Sequence, residues 1–226
     1  MNDPYAPLKE RAWREVEEID ARLERGEIDE DGWYRAVADL VVPAYLAADT
    51  PYGGSGKTGA AAEWDDSRSH IADAIDRDGR FLDIGCANGL LMESIVAWSR
   101  FAIEPYGLDI APALVDLARR RLPRWRDRIW AGNALHWEPP HRFEFVRTGL
   151  DYVPRHRRRE LVEHLLGYCD RLIVGVFNEE VEARPTEELV RSWGYEIAGR
   201  SDRRHRDPRI EYRVLWIDAR GATARV

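Results

Sequence analysis

The stretch best suited to chemistry is Arg80-Phe-Leu-Asp-Ile-Gly-Cys-Ala-Asn-Gly-Leu90. An apolar run leads into Asp83 and Gly85, the chain turns through Cys86 and Asn88 to Gly89, and a helical pattern with Leu91, Ile95 and Trp98 follows. Glycines let backbone approach a ligand closely, and a helix opening at such a turn is expected to offer free amides. A dinucleotide fingerprint needs a second glycine two residues after the first. Ala87 stands there. A carboxylate just ahead of Gly85 also suits a cationic amino acid better than a pyrophosphate.

Other residue groupings carry weaker chemistry. Gly56-Lys57-Thr58 looks like the end of a phosphate-binding loop, but that motif requires glycine five positions before Gly56, where Pro51 stands. Cys86 lies inside the glycine turn at a helix start, a setting that lowers a thiol pKa and would suit a nucleophile. His136, His141 and His156 fall on loops and could act as general bases, and no pair of them has metal-ligand spacing. No metal site is expected. Trp64 and Arg68 are one helical turn apart and, with Tyr52, are candidates for a substrate wall; core packing competes for the tryptophan. Arg200, Arg203, Arg204, Arg206 and Arg209 cluster near the C-terminus, interleaved with Asp202 and Asp207, which favours a solvated loop.

The glycine turn resembles the first motif of the class I S-adenosylmethionine-dependent methyltransferases, which commonly reads L-D-I-G-C-G-x-G, with Ala87 here in place of the middle glycine. The resemblance spans about residues 78–219 and implies roles for further residues. An acidic residue ending the second strand binds both ribose hydroxyls; Asp109 in Tyr106-Gly-Leu-Asp-Ile110, 24 residues after Gly85, fits that role. A carboxylate can accept both bonds of a diol. Ile110 is then expected over one adenine face, and Asp109 at a strand tip facing the pocket. Gly132-Asn133-Ala134 stands where the family has G-D-A, so Asn133 accepts from the adenine amino group without a charge.

The segment Phe143–Val153 resembles the family's F-D-x-V strand and places Thr148, Gly149 and Leu150 near the methionine part of the cofactor. Asp151 and Tyr152 would lie near the methyl group and, with His156, are the candidate proton acceptors. The implied activity is transfer of a methyl group from S-adenosylmethionine to an oxygen or nitrogen of a small-molecule acceptor. Absence of an N-P-P-Y segment after the fourth strand disfavours RNA and protein acceptors. A non-catalytic adenosylmethionine-binding protein and a dehydrogenase-like enzyme on the same sheet are the competing classes.

The elements that must position these residues follow from periodicity. Leu8, Ala12, Val16, Ile19 and Leu23 share a helical face, and a second helix over about Asp31–Ala48 is expected to break near Pro43. A turn-rich segment follows, then a short helix over about Ala60–Ile75. Strands are expected at Phe81–Ile84, Tyr106–Ile110, Ile129–Ala131, Phe143–Thr148, Leu172–Phe177, Tyr195–Ala198 and Tyr212–Ile217, with helices between most of them. This alternation predicts an α/β, Rossmann-like, doubly wound seven-stranded sheet, mostly parallel, with an antiparallel last strand. Residues 1–75 read as a helical lid over the cofactor mouth and residues 76–226 as the cofactor-binding core.

The chain's 226 residues, 44% hydrophobic and 33% charged, suit one globular α/β domain with added helices. All but Lys9 and Lys57 of its 34 basic residues are arginine. A net charge of -7 argues against coating nucleic acid or an anionic membrane. Two cysteines are too few for a disulfide scaffold. With no spanning apolar run and no signal-peptide layout, a cytoplasmic protein is expected. A homodimer is left open.

Overall fold

The computed structural model describes residues 6–55, 61–180, 184–205 and 208–219, and their side chains apart from 6–14, 176–180 and 210. Gly56-Lys57-Thr58 therefore lies outside the described residues, as do Arg206, Asp207 and the side chains of Leu8 and Ala12.

Two antiparallel helices open the chain, α1 (Ala6–Glu24) and α2 (Glu30–Leu46). Gly26, with φ 71°, makes the turn out of α1. Asp29 caps α2, its carboxylate accepting the Gly32 amide at 2.7 Å. Trp33 is 2% exposed, and its indole donates to Asp20 at 2.8 Å, which pins the two helices together. The expected break at Pro43 does not occur: α2 runs on to Leu46. Proline removes one backbone bond, to the carbonyl four residues back. Asp39 and Pro43 are both exposed, so the lost bond falls on the solvent side of the helix.

The expected single helix over Ala60–Ile75 divides into α3 (Ala61–Arg68) and a 3-10 turn (Ser69–Ala74). The sheet follows: β1 (Gly79–Ile84), α4 (Leu90–Trp98), β2 (Ile103–Asp109), α5 (Pro112–Arg121), β3 (Ile129–Ala131), β4 (Phe143–Thr148), α6 (Arg158–Leu166), β5 (Cys169–Glu180), α7 (Pro185–Ser192), β6 (Gly199–Arg204) and β7 (Ile210–Asp218). Strand order is β3-β2-β1-β4-β5-β7-β6, with β7 antiparallel to both neighbours and the other pairs parallel. The chain winds outward from β1 through β2 to β3, then returns to place β4 on the other side of β1. Ligands bind in the crevice at such a reversal, outside the carboxyl ends of the strands.

One sheet face packs Phe81, Phe145, Ile173 and Val214 against α4 and the 3-10 turn; the other packs Leu82, Val146, Leu172 and Leu215 against α6 and α7. The N-terminal hairpin lies over the crevice, with Val42 and Tyr45 on Ala87, Ala111 and Leu114. Tyr195–Ala198, expected as a strand, is not one; pairing begins with the Ala198 amide on the Trp216 carbonyl at 2.9 Å. Tyr195 and Ile197 are apolar because they pack into the core beneath α7. The edge strand is instead the charged run Gly199–Arg204, expected as a loop. Charged residues suit an edge, where they block further pairing. Among the described residues, no helix is long and apolar enough to cross a membrane.

Candidate functional site

The turn from β1 into α4 uses three left-handed residues, Gly85 (φ 71°), Ala87 (φ 48°) and Gly89 (φ 77°). Several of its amides are bonded within the protein. Gly85 and Cys86 donate to the Leu108 carbonyl at 2.8 and 3.1 Å, Ala87 donates to Asp109 Oδ2 at 2.8 Å, and Leu90 donates to Asn88 Oδ1 at 3.0 Å. Asn88 also ties the turn to the N-terminal segment, donating to the Pro51 carbonyl at 2.8 Å and accepting from the Ser55 hydroxyl at 2.7 Å. A side chain at Gly54 would meet Asn88 Nδ2 at 2.8 Å, so the approach is close.

Asp109 stands at the tip of β2 but is embedded, only 7% exposed, with Oδ1 accepting the Ala111 amide at 2.9 Å. Burial raises its pKa, and the two amides oppose the rise. Each oxygen keeps a second lone pair for a ligand. Ile110 beside it is 43% exposed. Asn133 Oδ1 accepts the Leu135 amide at 3.0 Å, and Ala134 packs against the core. Thr148 is buried with its hydroxyl on the Gly149 carbonyl, and Leu150 is buried in the core. Burial drives the Cys86 thiol pKa upward, and Asp109 and Asp83 add to that, so the thiolate is disfavoured.

A buried charge cluster lies at the ends of β1 and β4. Arg147 Nη1 donates to the Tyr152 hydroxyl at 2.8 Å and pairs with Asp83 Oδ1 at 3.2 Å, the two charged side chains being 5% and 2% exposed. Burial pushes the Asp83 carboxyl up to about 6, and Arg147 opposes that rise. Arg68, at the end of α3, belongs to the same compartment. Burial and then the Arg147 charge bring it down to about 10, while the phenols of Tyr152, Tyr212 and Tyr45 act the other way. Sequence reasoning missed Arg147 and Tyr45. The visible signal for Arg147 was an arginine inside an otherwise apolar strand; Tyr45 had none, since only helix docking brings it here.

The remaining candidates scatter. Trp64 is buried in the α3–α4 core, donating to Ser94 Oγ at 2.9 Å, and Tyr52 packs on the same cluster. His156 is 58% exposed and holds Glu30 of α2 at 2.8 Å, beside an Arg155–Asp20 pair at 3.0 Å. It is a tie between hairpin and core. Tyr152 is buried enough to raise its phenol pKa, which opposes a role as proton acceptor; Asp151 is exposed at the crevice. His136 is exposed, and His141 packs edge-on against Tyr106. No three metal-ligating side chains converge among the described residues.

Comparison with solved structures decides the architecture. The N-methyltransferase NodS from Bradyrhizobium japonicum WM9, in complex with S-adenosyl-L-homocysteine, superposes with a TM-score of 0.57 at 14% identity, over 80% of this chain and 96% of NodS. The [4+2]-cyclase SpnF superposes at 0.58 and 16% identity, over 80% and 93%. The fold is the Rossmann-like methyltransferase fold. No family model matches the chain, and no curated protein matches it in sequence. SpnF carries the name of a cyclase, so this fold is not tied to one reaction.

Proposed function

We propose that this chain is an S-adenosylmethionine-dependent methyltransferase acting on an oxygen or nitrogen of a small metabolite. The observation that carries the reading is the left-handed glycine turn facing the Asp109 carboxylate at the switch point, with Ile110 exposed beside it. The residues fit that donor at both ends. Asp109 keeps lone pairs for a ribose diol and Ile110 offers a flat apolar surface to a nucleobase. Asp83 sets a carboxylate just ahead of Gly85, matching the ammonium of an amino acid.

The bound donor supplies a methyl group already activated on a sulfonium, so the protein's main work is alignment and exclusion of water. Val42 and Tyr45 of the N-terminal hairpin cover the turn, and we assign residues 1–75 the role of a lid. Asp151, exposed next to Gly149, is the carboxylate assigned to take a proton from a hydroxyl acceptor. His156 is assigned to the hairpin tie rather than to chemistry.

The test begins with calorimetry and thermal shift against S-adenosylhomocysteine, NAD and ATP. At 100 times its dissociation constant, a ligand of the native state stabilises by about 2.7 kcal/mol. Stabilisation by S-adenosylhomocysteine alone is expected, followed by methylated product in a metabolite-library assay read by mass. Binding of NAD or ATP instead would overturn the reading.

A further inference from the structure

We propose that Arg147 is a positioning residue: its guanidinium fixes the Tyr152 ring in a slot between Gly85 and Gly149, and that ring forms the wall against which the methionine end of the donor binds. The inference rests on the donor reading above. A side chain at Gly85 would meet Tyr152 Cε2 at 2.7 Å. One at Gly149 would collide with Asp151 Oδ1 and lie 3.2 Å from Tyr152 Cζ. Gly149 has φ -101°, a conformation any residue adopts, so its lack of a side chain answers to space and not to backbone strain. Two glycines from separate segments thus leave a gap that the phenol ring fills.

Packing alone does not enclose that ring, since Tyr152 is only half-buried. The missing restraint is the Arg147 Nη1 bond to its hydroxyl at 2.8 Å, and Asp83 holds the same nitrogen at 3.2 Å. Asp83 belongs to β1 and Tyr152 to the loop after β4, so one guanidinium ties the two strands flanking the switch point. The guanidinium carbon lies 5.6 Å from the ring centroid. That cation–π contact adds to the tie that holds the ring.

The full-length protein tests this with ring flips of labelled tyrosine measured by NMR and S-adenosylhomocysteine affinity measured by calorimetry. Because Arg147→Met alone strands a buried carboxylate, it is compared as Asp83→Asn/Arg147→Met against Asp83→Asn. Removal of Arg147 is expected to speed Tyr152 ring flips at least tenfold without ligand and to weaken binding about tenfold. Tyr152→Phe keeps the ring, loses the tie, and is expected to weaken binding three- to tenfold at an unchanged melting temperature. The two losses should not multiply when combined, because they remove one interaction. Unchanged ring flips, multiplying losses, or Tyr152→Phe binding within twofold of the parent would overturn the proposal. A parent that binds no S-adenosylhomocysteine would overturn the donor reading, while the ring-flip comparison would still judge the tie.

Discussion

The two ends of the crevice are built on different principles. One end comes from Gly85–Gly89 and the tip of β2, and its polar groups are already bonded to backbone: Asp109 to Ala87 and Ala111, Asn88 to Leu90 and Pro51. The other end gathers Tyr45, Arg68, Asp83, Arg147 and Tyr152 from five segments and sets buried charges against each other. A site satisfied by its own backbone has a fixed shape before any ligand arrives. A site built from buried charges has protonation states that depend on how closely those charges are packed.

The contrast is broken or sharpened first at Arg147. Arg147→Met leaves Asp83 buried without its partner and is expected to cost about 3–5 kcal/mol in urea unfolding. Adding Asp83→Asn should recover part of that loss; no recovery would mean that the pair is not what holds this end. At the other end, Asp109→Ala leaves two buried amides unmet and is expected to cost about 2–4 kcal/mol. Tolerance of that change within about 1 kcal/mol, the outcome expected of a carboxylate facing only the pocket, would show that the two ends do not differ in this way. Hydrogen exchange at Ala87 and Ala111 should accelerate in the same variant.

A pH series tests the charged end through His70, which lies behind Arg68 with neither ring nitrogen bonded. Burial, then the charges of Arg203 and Arg68, lower it to about 4. The unfolded chain takes up the proton near pH 6.5 and the folded protein only near 4, so stability falls as pH drops across that window. The loss is about 2–3 kcal/mol. Asp83 acts in the opposite sense: its raised pKa gives stability that is full below about 4 and lost as pH rises through about 6. Unfolding of the parent beside His70→Phe at pH 7, 5.5 and 4.5 isolates the histidine, and equal slopes would remove it from the account. The smallest effect is expected at the hairpin tie. His156→Ala should cost under about 1 kcal/mol, since the pair with Glu30 is exposed. A loss above about 2 kcal/mol would make hairpin docking part of the core.

What the chain declares locally was legible in its sequence. The run Arg80–Leu90 specifies strand, turn and helix within eleven residues, and apolar alternation placed β1, β2, β3, β4 and β7 within a few residues of their bounds. Asp109 could be found because the family resemblance implies an acidic residue at the end of the second strand, where Asp109 stands. What depended on neighbours distant in sequence was not legible. Pro43 stays helical on the exposed side of α2, and Gly199–Arg204 becomes a strand because β7 offers it an edge. The Arg147–Asp83 pair joins residues on neighbouring parallel strands that the winding order brings together, and Tyr45 reaches the crevice only when α2 docks. Hydrogen bonds within a turn are specified by adjacent residues, whereas the partner of a buried charge is selected by which strands become neighbours.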